Sequence, residues 1–291
     1  MKRNTMGEAY EILNKALFER ISSLDSEKDS VIFCDPKGEM IGNKLEEKRY
    51  DVKVINIIEY NGLKFISNIM EKDKELAKCL CYSWTRNILV DYLEEFNTEV
   101  IEYVSKVLYR YIEKTFEGSE SVERKFLANR NDFKEYLTSY IKGIEGEEFT
   151  RALQIVVYQI HSVPLVMDIP VFDDMTNIVD DKLDNIYKSL FFKGYSEKPV
   201  AFTIVYGDKN YHYEEFLNII LEHIIIKIIL DRLEGFKLND ISLFLGNVDN
   251  KYFELFLQNI NDYYEYFGKK EDEFGHLNMQ ENNNINFMVL T

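Results

Sequence analysis

The sequence predicts an α/β chain, with a parallel sheet flanked by helices and interrupted by a large all-α insertion. Three observations lead there. Short apolar runs closed by turn residues occur at both ends of the chain, one strand–short helix–strand unit sits near the amino end, and residues 65–165 are helical in period almost throughout.

The elements follow in order. Ala9, Ile12, Leu13, Ala16, Leu17 and Ile21 recur at helical spacing over residues 6–24. Val31-Ile32-Phe33-Cys34 is a continuous apolar run closed by Asp35-Pro36-Lys37-Gly38, which predicts a strand buried on both faces and ended by a tight loop. A short helix over Glu39 to Lys48 and a second strand, Val52 to Ile57, complete a βαβ unit, and such a unit requires a parallel sheet. From Phe65 to His161 the apolar period is 3.6, with breaks near Asn97, Gly118-Ser119 and Gly143–Gly146, which predicts a bundle of four or five helices ended by Ser162-Val163-Pro164. Strand patterns return at Val200–Tyr206, Ile241–Leu245 and Ile285–Leu290, with a buried helix over 213–234 and another at about 250–266 between them. The expected divisions are thus 1–64 and 166–291 for the two parts of the sheet-bearing core, and 65–165 for the insertion.

Charge limits the function. The chain has 51 acids against 35 bases, a net −16, whereas tracking a nucleic-acid backbone requires Lys and Arg to neutralise phosphates. A nucleic-acid-binding module is therefore disfavoured, and a basic protein partner or self-association fits better. The most apolar window, Phe216–Leu230, is interrupted by Asn218, Glu222, His223 and Lys227 and is shorter than the ~20 residues a bilayer span requires. It predicts a buried helix and a cytoplasmic protein, peripheral to a membrane only through a partner.

Metal chemistry finds little support. Cys34, Cys79 and Cys81 form no C-x-x-C pair, and Cys79 and Cys81 at i, i+2 do not share a helix face. Buried thiols are expected. His161, His212, His223 and His276 have no second histidine at ligand spacing, and His223 in the most apolar helix predicts a satisfied core histidine. Tyr252, Phe253, Phe256, Tyr263, Tyr264 and Tyr266 could stack bases, but among acids they predict packing or a protein interface. No metal and no cofactor is expected.

In open parallel sheets the chemistry sits at the carboxyl ends of the strands. Val31-Ile32-Phe33-Cys34-Asp35-Pro36-Lys37-Gly38-Glu39, followed by Tyr50-Asp51-Val52-Lys53-Val54-Ile55-Asn56, resembles the TraG/TraD group of coupling proteins, the RecA-like ATPases of type IV secretion and conjugation. The resemblance implies a RecA-like, P-loop-NTPase-type sheet. It places Asn61 where the group has Asn-Pro-Leu, the loop with Asp208 after a late strand, Gly246-Asn247 at the Walker B position, and Thr291 beside a sensor Gln. The heavy use of Ile, Tyr, Phe, Asn and Lys fits low-GC bacteria and their mobile elements.

Against that pattern the hydrolytic residues are replaced. No G-x-x-x-x-G-K-[ST] occurs in the chain, and Gly246-Asn247 stands where Asp-Glu would hold Mg²⁺ and orient water. The expected function is a non-catalytic homologue of a coupling ATPase, acting by protein–protein contact in substrate recruitment or regulation. The alternative is a divergent nucleotide-binding ATPase completed by another chain. Asp35, Pro36, Lys37, Gly38 and Glu39 have two readings. Pro and Gly make the turn and Asp35 caps the helix, or the loop keeps a contact with nucleotide or partner.

Overall fold

The protein is described by a computed structural model that covers the backbone of Glu19 and of residues 30–35, 51–56, 62–116, 130–143, 146–162, 200–205, 214–233, 241–246, 250–269 and 285–290. Strands β1 (Ser30–Asp35), β2 (Asp51–Asn56), β3 (Val200–Val205), β4 (Ile241–Gly246) and β5 (Ile285–Leu290) pair in parallel in the order β2-β3-β1-β4-β5. Val31 faces Ala201 on one side and Ser242 on the other. Among the described residues, seven helices accompany them: α1 (Gly62–Lys72), α2 (Lys74–Ile88), α3 (Thr98–Phe116), α4 (Arg130–Ile141), α5 (Glu147–Ser162), α6 (Glu214–Leu233) and α7 (Asn250–Gly268), with a 3-10 turn at Val90–Glu95.

The expected fold class needs correction. A RecA-like parallel-sheet core is not seen: the body in which side chains pack is helical. Among the residues whose side chains are described, Ile32 and Cys34 of β1 reach the core, and its other buried members come from helices and the short links between them. Helices from 65–165 and from 166–291 share that one core. The physical reason lies in α6. Leu217, Ile220, Leu221, Ile225, Ile226 and Ile228 are each at most 3% exposed, and they point in every direction around the axis. A helix that is apolar all round must be covered on all sides. It therefore sits inside a bundle, with α2 and α7 against it and no face left to water. At ~1.5–3 kcal/mol for each fully buried aliphatic side chain, α6 contributes substantially to cohesion.

The other helices are one-sided. In α2, Leu76, Leu80, Trp84 and Ile88 repeat every four residues and face inward, joined by Ala77 and Cys81. In α3, Val100, Val104, Val107, Leu108 and Ile112 form the stripe. Trp84 meets Phe133 edge-on at 6.3 Å, and Phe133 also packs on Tyr111 at 4.7 Å, which locks α4 against α2 and α3. Tyr103 meets Phe149 at 5.2 Å and seats α5 on α3.

Asp73 starts α2. Its Oδ1 accepts from the backbone N–H groups of Glu75 (3.1 Å) and Leu76 (3.0 Å), satisfying two of the donors a helix start leaves open. The Tyr266 hydroxyl of α7 lies 2.8 Å from both carboxylate oxygens of the same residue, so the cap also ties α7 down. Asp73→Ala removes both functions. We expect a loss of about 1–3 kcal/mol, read as a lower urea midpoint with an unchanged slope.

Candidate functional site

The densest polar cluster among the described residues lies where α2, α6 and α7 meet, and each helix contributes a pair at i, i+4: Ser83 and Asn87, Asn218 and Glu222, Asn259 and Tyr263. That spacing puts both members of a pair on one face, one turn apart. Glu222 is the hub at 1% exposure. Its Oε1 accepts from the side-chain amides of Asn87 and Asn259, both at 2.8 Å. Its Oε2 accepts from the hydroxyls of Ser83 and of Tyr263, the latter at 3.1 Å.

The amides beyond Glu222 fix one another. Asn218 donates from Nδ2 to the backbone carbonyl of Tyr252 at 2.8 Å and to Asn87 Oδ1 at 3.1 Å. A carbonyl can only accept, so the Asn218 amide cannot be turned round. The Asn87 oxygen is therefore held by Asn218, and its nitrogen must face Glu222. Contacts run from Asn87 to Asn218 and from Ser83 to Glu222, so α2 and α6 are antiparallel; α6 and α7 are parallel.

Electrostatics follow from burial. Desolvation pushes the Glu222 carboxyl up from its usual range, while the bonds from Asn259, Ser83, Asn87 and Tyr263 pull the other way. Desolvation, with the Glu222 charge second, pushes the Tyr263 hydroxyl well above its ordinary value. His223, next along α6, stacks on Phe65 with ring centroids 4.2 Å apart, and burial lowers its pKa to about 3. It is the neutral core histidine that its apolar setting predicts. Around the cluster, Arg86 of α2 bonds Asp262 of α7 at 2.9 Å, and Lys251 of α7 pairs with Asp91 of the 3-10 turn. Together with Tyr266 on Asp73, these ties hold α7 antiparallel along α2 at both ends and near the middle. Asn259 Oδ1 is buried without a hydrogen-bond partner among the described residues.

No family model, curated protein or solved structure matches this chain. What the cluster can do is therefore argued from its own chemistry. Every polar atom on Glu222 is used, its neighbours are side chains of the core, and no lysine or arginine among the described residues bonds to it. It is built to select one packing of three helices.

The residues singled out from the sequence fall elsewhere. Asp35 closes β1, level with Val205 of β3, and Gly246 closes β4, level with Leu290 of β5. β1 and β4 are neighbours, so Asp35 and Gly246 end adjacent strands on the same edge of the ladder. Pro36, Lys37, Gly38, Glu39, Asn61, Asp208, Asn247 and Thr291 lie outside the described residues, as does the helix expected over 6–24 apart from Glu19. Cys34 and Cys81 are buried, as expected of thiols in a core, and Cys79 is half-buried with its thiol pushed up by desolvation. Among the α7 aromatics, Phe256 and Tyr263 are core, while Tyr266 bonds Asp73 and Tyr252 lies beside Asp91. No group of His, Cys, Asp or Glu among the described residues has the arrangement of a metal site. None of the described helices is long and apolar enough to cross a membrane.

The sequence reading missed the Glu222 cluster, although a signal was present. Asn218 and Glu222 interrupt the most apolar helix four residues apart, on one face. Polar residues placed so in a helix that must be buried require polar partners on whatever covers them.

Proposed function

We propose that this chain acts by protein–protein contact, presenting acidic helix surfaces to a basic partner. The observation that carries the reading is the charge balance, 51 acids against 35 bases. Its expression on the surface supports it. Glu94, Glu99, Glu147 and Glu148 are exposed where the 3-10 turn and the starts of α3 and α5 come together, beside a Glu95–Arg151 ion pair that ties the turn to α5. Acids at helix amino ends also complement the helix dipole, so this surface is both stable and negative. The core polar groups, in contrast, are spent on one another.

The likeness of Asp35–Glu39 and Tyr50–Asn56 to the coupling proteins names the partners to test first: components of a type IV secretion or conjugation apparatus, recruited or regulated by this chain. Electrostatic complementarity of this kind steers association and is screened by salt. Tagged full-length protein, co-expressed with relaxase, coupling ATPase and channel components, is expected to retain one of them at low salt and release it as salt rises. Retention of none sinks the reading. Thermal stabilisation by millimolar Mg-ATP, or a gel shift with DNA, would redirect it to a nucleotide- or nucleic-acid-binding role.

A further inference from the structure

We propose that Glu222 is a proton-operated latch: it keeps a proton on Oε2 under conditions where exposed carboxyls have lost theirs, and its ionisation as pH rises loosens the α2–α6–α7 junction. This inference stands apart from the reading of partners above.

The geometry distinguishes the two carboxyl oxygens. Oε1 faces two amide N–H groups. One of these, on Asn87, is locked as a donor through Asn218 and the Tyr252 carbonyl. A proton on Oε1 would point at another hydrogen. Oε2 faces only the hydroxyls of Ser83 and Tyr263, and hydroxyls accept as readily as they donate. A proton on Oε2 can therefore be accepted by a turned Ser83 hydroxyl, with the Tyr263 hydroxyl beside Ser83 to take its own hydrogen. Oε2 thus keeps hydroxyl partners in either state, so the choice falls to solvation, and a sealed carboxylate with no cation bonded to it is the costly form.

The surrounding titratable and charged groups do not offset that cost. From α7, Tyr263 donates to Glu222, and Asp262 is paired with Arg86 of α2. From α2, Cys79 lies near enough to Tyr263 to raise its pKa further. On α6 itself, His223 is held neutral by burial. From α1, Phe65 brings an uncharged ring onto His223. Desolvation also raises the Glu222 pKa in the folded chain. The folded state then binds the proton more tightly than the unfolded chain. The stabilisation is fully present below the ordinary carboxyl range and is lost as pH rises through the folded value.

Glu222→Gln tests this, because Gln has the shape and hydrogen-bond pattern of the neutral acid with its N–H₂ in the Oε2 position. Thermal unfolding of the full-length wild type and the Gln variant is compared from about pH 4.5 to 8. His223 is common to both and cancels in the difference. The expected result is near-equal midpoints at the acid end and a variant that gains on the wild type as pH rises. A gap that stays constant, a variant less stable at every pH, or one that does not fold would overturn the proposal. Infrared spectra give a second readout. Wild type just above the ordinary carboxyl range should show a protonated-carboxyl C=O band that Glu222→Gln lacks, and absence of that band would also overturn it.

Discussion

Replacing Glu222 with alanine will lower the unfolding free energy by about 3–5 kcal/mol. Four donors converge on this one side chain: two amides and two hydroxyls from helices α2 and α7. Truncation leaves them in a cavity, and each buried donor without a partner costs about 1–3 kcal/mol, less what entering water recovers. The hydroxyls of Ser83 and Tyr263 lie close enough to re-pair with each other, whereas Asn87 cannot turn, because Asn218 holds its oxygen. Loss should therefore exceed that of Ser83→Ala, which removes one donor and leaves the carboxyl with three. Denaturant titration is the measurement, with exposed Leu257→Ala expected within ~0.5 kcal/mol of wild type as the control. A Glu222→Ala loss below about 1 kcal/mol would mean the cluster does not hold the helices together.

Acidification below neutrality will destabilise the protein through His223, and His223→Phe will flatten that decline. Burial lowers the histidine pKa from 6.5 to about 3, so the folded state binds its proton less readily than the unfolded chain. The associated stability is complete above the unfolded value and is lost as pH falls toward the folded one. The full span is worth roughly 5 kcal/mol. Phenylalanine keeps the ring that stacks on Phe65 and removes the titration. The free-energy gap between wild type and variant, measured by chemical denaturation at about pH 7, 5 and 4, should shift in favour of the variant at each step. A gap independent of pH would show that His223 charges as easily inside the protein as outside. The two neighbours on α6 thus respond in opposite senses: Glu222 favours acid and His223 favours base.

Much of the helical part was legible in the sequence. The apolar period placed the buried helix at 213–234 and the next at about 250–266, against Glu214–Leu233 and Asn250–Gly268 in the structure. His223 was read as a core histidine and is one, and the α7 aromatics, read as packing or an interface, divide into the buried Phe256 and Tyr263 and the half-buried Tyr252, Phe253, Tyr264 and Tyr266. What the period could not give was the organising centre. A helix apolar on every side is consistent with a place beside a sheet or inside a bundle, and local sequence does not say which neighbours cover it. The strand–helix–strand pattern near the amino end pointed to a sheet, and the resemblance to a RecA-like one, whereas α2 and α7 are what pack on α6. The cluster was hidden for a related reason: Ser83, Asn87, Asn218, Asn259 and Tyr263 are ordinary residues in isolation. Only their i, i+4 pairing on three separate helices makes them one unit, and that pairing becomes visible once the helices are known to meet.

The separation of those partners along the chain bears on how the protein is made. Asn87 and Glu222 are 135 positions apart, and Ser83 and Glu222 are 139 apart. At about 5–20 residues per second, α2 leaves the ribosome on the order of ten seconds before the carboxyl that satisfies it exists, and longer still before α7 follows. Through that interval the inward stripe of Leu76, Leu80, Trp84 and Ile88 lacks the cover that α6 and α7 later give it. Slow codons placed between α2 and α6 would lengthen that interval.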